Sequence, residues 1–297
     1  MPGRRHHSLI LAFLISTLAL PSYGKASVEY VGTYVWSLPE ADFGGFSAIE
    51  VSDDGSQFYV LADRAQIRWG MIERDSAGLI RGMAMSGRAQ LQDSKGVKLE
   101  PGWRGDSEGL ALDPNGGFWV SFEGLDRVAR YDDPDRPAIR LPVPAAFEAL
   151  PINRGLEALA VDADGSLYTL PELIAEGEDS FPVWRFRDGE WDQPFRLPGS
   201  SKWQAVGADI GPDGRLYLLE RHFRGLLGFQ SRVRSFALSG DGLSDEVVLL
   251  ESSTLQYDNL EGIAAWSDGI GIRITMISDD NFIPVQRTEL VEYRIIY

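Results

Sequence analysis

The sequence predicts an all-β fold: a β-propeller, five four-stranded blades closed into a ring by the N-terminal strand. Three observations predict it. A unit recurs along the chain: an apolar alternation, a turn ending in Gly, a second apolar run carrying an aromatic, and a closing acid. The turn glycines Gly55, Gly116, Gly165, Gly214 and Gly269 stand 61, 49, 49 and 55 residues apart, a blade-sized repeat. Helical periodicity is nearly absent, apart from a weak stretch at Ala145 to Leu150.

The segment VEYVGTYVWSL comes first and has no unit of its own. Unit one reads FSAIEVSDDG and QFYVLAD, unit two SEGLALDPNGGFWVSFE, unit three LEALAVDADGSLYTLPE, unit four AVGADIGPDGRLYLLE, and unit five LEGIAAWSDGIGIRITMISDD. Each is a pair of period-2 runs joined by a short Asp-Gly or Asn-Gly turn, hence a hairpin. Two further strands complete a blade, RVARYDD and AIRLPVP in unit two, SRVRSFALSG and DEVVLLE in unit four. Unit five offers only ELVEYRII, so VEYVGTYVWSL is expected to supply its outer strand and remove an open edge. The 61-residue first spacing has room for a degenerate sixth blade; five is the expected count. Tyr59, Trp119, Tyr168 and Tyr217 sit mid-strand and are expected between blades.

Arg4 and Arg5 precede an apolar run, Leu9 to Leu20, followed by Pro21 to Ala26. That is the layout of a secretory leader, and the run is short for a bilayer span. The expectation is a leader over residues 1–26, one domain over 27–297, and a periplasmic or secreted, soluble product. Zero Cys excludes disulfides and thiol chemistry. The formal charge is −16; without Arg4, Arg5 and Lys25, 25 basic residues face 44 acidic ones, −19. Such a surface repels nucleic acid and anionic lipid and attracts cations.

Gly105-Asp106-Ser107-Glu108-Gly109 fits the G-x-S-x-G pattern of serine hydrolases. A nucleophile elbow leads from strand to helix, but a second strand follows here. His222 is the one histidine outside the leader, and nothing in the sequence brings it to Ser107. Ser107 is therefore not read as a nucleophile. Acids recur instead. Eight residues before the turn Gly stand Glu108, Glu157 and Glu261, with Ser47 and Val206 in the other units. The second run closes with Asp63, Glu123, Glu172, Glu220 and Asp279. In a propeller these gather at one mouth of the central channel. Like charges so gathered require compensation: a hard cation such as Ca²⁺ held by Glu108, Glu157 and Glu261, arginines such as Arg64, Arg221, Arg104 and Arg154, or backbone N–H groups of the next blade. Arg64, Arg221 and His222 are the candidate anion binders, with Arg224 nearby.

The chain resembles the exported bacterial phytase-like family, "esterase-like activity of phytase", from about Asp42 to Arg294. The likeness rests on GGFSAIEVSDDGSQFYVLADR, DSEGLALDPNGGFWVSFE, GLEALAVDADGSLYTLPE, RLYLLERHF and MISDDNFIPVQRTEL, in that order. The resemblance implies a propeller and ester or phosphoester hydrolysis. The residues matching its pattern are Asp63, Arg64, Glu108, Glu123, Glu157, Glu172, Glu220, Arg221, Glu261, Asp279 and Asn281, whereas Ser47 and Val206 interrupt the inner acids. The expected activity is metal-assisted hydrolysis of a phosphate or carboxylate ester. The alternatives are a metal-dependent lactonase and a non-catalytic propeller that binds a small ligand or an exported partner.

Overall fold

A computed structural model describes residues 26–148, 150 and 155–297. The expected leader, up to residue 25, and Arg154 lie outside them. Five four-stranded antiparallel sheets form the ring. Blade one holds β2 (Phe46–Val51), β3 (Gln57–Ala62), β4 (Gln66–Arg74) and β5 (Ile80–Gln90); blade two holds β6 (Ser107–Leu112), β7 (Phe118–Phe122), β8 (Arg127–Tyr131) and β9 (Ile139–Arg140). The short helix α1 (Ala145–Glu148) follows, where the weak helical pattern lay. Blade three holds β10 (Leu156–Val161), β11 (Leu167–Pro171), β12 (Ser180–Arg187) and β13 (Glu190–Pro198). Blade four holds β14 (Gln204–Ile210), β15 (Arg215–Phe223), β16 (Phe229–Ser239) and β17 (Gly242–Glu251). Blade five holds β18 (Asn259–Ser267), β19 (Ile272–Asp279) and β20 (Glu289–Ile296), and β1 (Ser27–Val35) pairs with β20 as its outer strand.

The ring therefore closes as the sequence implies, with Ser27 opposite Ile296 and Val35 opposite Glu289. The long first spacing holds no sixth blade. It is taken up by the long β4 and β5 and by the link to β6, in which Gln92 bridges Lys98 and Pro137. The five turn glycines all have positive φ, 72° to 96°, the left-handed conformation that tight hairpin turns need.

The core is distributed around the ring. Five apolar clusters fill the five seams between neighbouring blades. Trp119, Tyr168 and Tyr217 are buried in these seams and Tyr59 is partly buried in another. Trp36, at 3% exposure, follows β1 and stacks on Phe46 at 5.4 Å. Its burial, worth about 2–3 kcal/mol, fixes the closing strand against blade one. Closest to the axis the residues are small: Ala48, Gly109, Ala158, Gly207 and Gly262 occupy equivalent places on the innermost strands. A Cβ on Gly109 would come 2.6 Å from the Glu157 carbonyl oxygen, and one on Gly207 would come 2.4 Å from that of Glu261. Small residues let the inner strands approach backbone to backbone, and the axis narrows there to a void of about 10 Å³. The channel is thus closed below its mouth.

Candidate functional site

Every innermost strand carries a register shift at the same place: between Phe46 and Ala48, Ser107 and Leu110, Leu156 and Ala158, Ala205 and Gly207, and Leu260 and Gly262. The extra residue is Ser47, Glu157, Val206 or Glu261, and in blade two it falls in the Glu108-Gly109 pair. A β-bulge leaves one residue unpaired and re-aims its side chain. Glu108, Glu157 and Glu261 are turned toward one another in this way: Glu261 raises the proton affinity of Glu108 and of Glu157, and Glu108 raises that of Glu157. A rim lies above this tier. There Gly45, Asp106, Gly155, Gln204 and Asn259 pair with Asp63, Glu123, Glu172, Arg221 and Asp279 at the ends of the second strands.

Eight carboxylates thus share the mouth, and few cations answer them. Arg221, with its side chain 15% exposed, bonds Glu172 at 2.9 Å and Asn259 at 3.1 Å, and also holds Glu261. Burial works against its charge, but Glu261, Glu157 and Glu172 outweigh this and strengthen its hold on its proton. Gln204 donates to Glu172 at 2.6 Å. Elsewhere the negative charge is poorly compensated. Burial, reinforced by neighbouring acids, pushes Glu108 and Glu157 well above the usual carboxylate range. Burial likewise lifts Glu123 to about 7 and Asp279 to about 8, and raises Asp106. Glu261 is also raised by burial, less so for having Arg221 and Asn259 as partners. Asp63 rises to about 6, mainly through burial, although Arg64 lies 3.8 Å away. Its Oδ1 is buried and accepts no hydrogen bond among the described residues.

The structure sorts the sequence candidates. Among the described residues, the acids whose oxygens all lie within 4.8 Å of one another are Asp106, Glu108 and Glu123. Of the expected trio Glu108, Glu157 and Glu261, the first belongs to this group, Glu157 stands beside it, and Glu261 is taken by Arg221 and Asn259. All three members are hard oxygen donors on blade two, a set that fits a Ca²⁺-like cation. Asp106 was absent from the sequence candidates; its signal was its place opposite Glu123, visible only once the hairpin register is known. Glu123 and Glu172 also serve the fold, Glu123 by accepting the Gly155 N–H at 2.9 Å. Asp279 accepts the Asn281 N–H at 2.7 Å.

Glu220 is not at the mouth. It is fully buried and clamped by Arg232 at 2.7 Å and Arg234 at 2.7 Å, both from β16. Glu123 and Glu172 stand seven residues past their turn glycines, Glu220 six past Gly214, and Arg221 seven. One residue along a strand reverses the face, so Arg221 takes the mouth position and Glu220 turns into the blade. Arg221 is correspondingly occupied and has little left for a substrate anion. Arg64 is the freer cation, half exposed and lying 3.5 Å over the Phe282 ring. His222 packs edge-on against Trp203 at 5.7 Å, and its buried Nδ1 has no hydrogen-bond partner among the described residues. Arg224 donates to Thr254 at 2.8 Å.

Ser107 is fully buried. Its hydroxyl donates to the Ala62 carbonyl at 2.6 Å and accepts the Ala65 N–H at 3.0 Å, stitching blade one to blade two. The Asp-Gly turns are equally self-sufficient: Asp162 Oδ1 accepts the N–H groups of Asp164 and Ser166. No helix among the described residues is long and apolar enough to cross a membrane.

In overall shape the ring is similar to the α-L-arabinofuranosidase PaAbf62A from Podospora anserina, solved in complex with cellotriose. The TM-score is 0.53 at 11% identity, covering 90% of this chain and 97% of that one. It is similar, at TM-score 0.53 and 11% identity, to the catalytic domain of the Coprinopsis cinerea GH62 α-L-arabinofuranosidase, covering 92% of this chain and 98% of that one. Identities this low speak for the fold alone. No curated protein matches the sequence. The family model described as phytase-like, "esterase-like activity of phytase", matches residues 41–282, most of the ring. The chain belongs to the phytase-like family.

Proposed function

We propose that the protein is an exported, metal-assisted hydrolase of phosphate or carboxylate esters, working at the channel mouth. The observation that carries this reading is the charge imbalance there: eight carboxylates, with the one cation enclosed among the described residues, Arg221, already spent on two of them. Asp106, Glu108 and Glu123 would hold a divalent cation, Ca²⁺ by the hardness of their oxygens. Such an ion supplies polarisation of the ester oxygen and a bound water of lowered pKa. Arg64, half exposed on Phe282, is available to the substrate's anionic group. Asp279, pushed to about 8 chiefly by burial, keeps a proton at neutral pH that it can give to a leaving oxygen. The closed axis means that substrate enters and product leaves by the same mouth. Membership of a family described by esterase-like activity supports the reaction class.

The test is a thermal melt of the leader-free protein after EDTA, with Ca²⁺, Mg²⁺ or Zn²⁺ added back. A ligand of the native state raises the midpoint by mass action. A saturable rise with Ca²⁺, lost in Glu108→Gln, and hydrolysis of a p-nitrophenyl phosphate or acetate that needs the same ion are the expected results. No shift with any ion after verified metal removal would sink the metal-assisted reading and leave the acids as architecture.

A further inference from the structure

Beside the mouth, blade two is built differently from its neighbours. Its outer strand β9 is two residues long, whereas β5, β13, β17 and β1 have nine to eleven. β9 reaches only Ala129 and Arg130 of β8, leaving Arg127 and Val128 with no strand outside them. A cavity of about 620 Å³ opens there, the size of a small-molecule pocket. Its walls include Leu99, Val128, Leu141, Val143 and Phe147. Four cations also line it: Lys95, Arg104, Arg127 and Arg140.

In a chain of formal charge −16, four cations around one cavity run against the overall field. None of the four makes an ion pair among the described residues, whereas most of the chain's other described arginines do. Arg127 is half-buried, lies 3.8 Å over the Phe122 ring, and spends two N–H groups on carbonyls, those of Leu125 at 3.0 Å and Arg104 at 2.6 Å. A guanidinium has five N–H donors, so several remain. Three acids line the same cavity, Asp93, Asp126 and Glu148. Asp93 accepts the N–H groups of Lys95 and Val97 and attracts Lys95 and Arg140, and Asp126 accepts that of Leu156 and attracts Arg127; with four cations against three acids the lining keeps one net positive charge. Burial, with Arg104 and Arg140 adding repulsion and Tyr131 and Asp126 offsetting part of it, lowers the Arg127 pKa to about 10, so an anion entering here relieves a standing cost.

We infer that this cavity is a binding site for a small organic anion, its carboxylate or phosphate head on Arg127, Arg104 and Arg140 and its alkyl or aryl body against Val128, Leu141 and Phe147. The cavity adjoins the channel mouth through the Gly124–Asp126 loop, since Glu123 of the mouth and Asp126 of the cavity wall both lie against Gly155. The inference is independent of the hydrolase reading, because binding needs neither the metal nor turnover.

Calorimetric titration of the leader-free protein in EDTA tests it, with octanoate and octyl phosphate as probes and octyltrimethylammonium as control. One saturable site for at least one of the anions is expected, weakened about tenfold in Arg127→Gln by loss of a charge-assisted contact, and unchanged in Glu108→Gln. Arg127 is half-buried, so exposed Arg140→Gln is the companion variant, with binding weakened at least threefold. A response to octanoate without octyl phosphate, or the reverse, identifies which head group the site takes. Absence of saturable binding for both anions, equal binding of the ammonium amphiphile, indifference to Arg140→Gln, or loss in Glu108→Gln would each overturn the assignment.

Discussion

Replacing Asp63 by Asn should make the metal-free protein more stable at pH 7.5 and leave it unchanged at pH 4. Burial, with Asp106, Glu261 and Asp280 nearby, lifts this carboxyl from 3.8 to about 6 in the folded state, and Arg64 offsets only part of that. A raised carboxyl binds more protons folded than unfolded between about pH 4 and 6, so stability falls as pH rises through that window. Below it both states are protonated and nothing is lost; above it the full penalty stands. Two pH units correspond to about 3 kcal/mol. The side chain is 40% exposed, and halving for solvent screening leaves about 1–1.5 kcal/mol. Asn keeps the shape and removes the charge. Urea unfolding in EDTA, at half-unit steps from pH 4 to 8, reads the difference between variant and wild type directly. Glu50 and Asp209, buried at the far end of the inner strands, are raised too and cancel in that subtraction. Asp268, held near 2 by Arg294, Arg273 and backbone N–H groups despite its burial, loses its stabilising contribution only below the window. A variant less stable than wild type at pH 7.5, or a difference that does not change with pH, would refute the account of an overcharged mouth.

Arg221→Met should destabilise the fold by about 3–5 kcal/mol, since Glu172 and Glu261 are left buried without their cation; adding Glu261→Gln to it should recover part of that loss in the same urea melt. Glu220→Gln should cost a similar amount by stranding Arg232 and leaving Arg234 with only the half-exposed Glu246, yet leave the affinity for Ca²⁺ in the EDTA add-back melt unaltered. Ser107→Ala should lower stability by about 1–3 kcal/mol through the orphaned Ala65 N–H, with hydrolysis per folded molecule unchanged; abolished hydrolysis would return Ser107 to the active site.

The sequence and the structure part company where a single residue decides a face. Repeat spacing made the blades legible because a hairpin must turn where a glycine can take positive φ, and all five turn glycines do. The closing strand was legible because an unpaired edge is costly, and β1 answers β20. Aligning acids by type rather than by distance from the turn hid the exchange at blade four. Glu220 looks like Glu172 in the string, but counted from Gly214 it is Arg221 that faces Glu172 across the mouth. The bulge was hidden for a related reason. The inner strands are buried on both faces, so one extra residue leaves no visible break in their pattern, yet that residue aims Glu157 and Glu261 at the axis. The charge of the mouth therefore rests on three features, each invisible to composition: a bulge repeated in five blades, a one-residue offset that brings Arg221 to the mouth in one of them, and a rim acid, Asp106, concealed inside a serine-hydrolase pattern. Remove the offset and the mouth would hold a ninth carboxylate and lose Arg221, leaving Glu172 and Glu261 without the cation that now bridges them. The exchange in blade four thus spends its cation on the acids of blades three and five, while Asp106, Glu108 and Glu123 of blade two make no ion pair among the described residues.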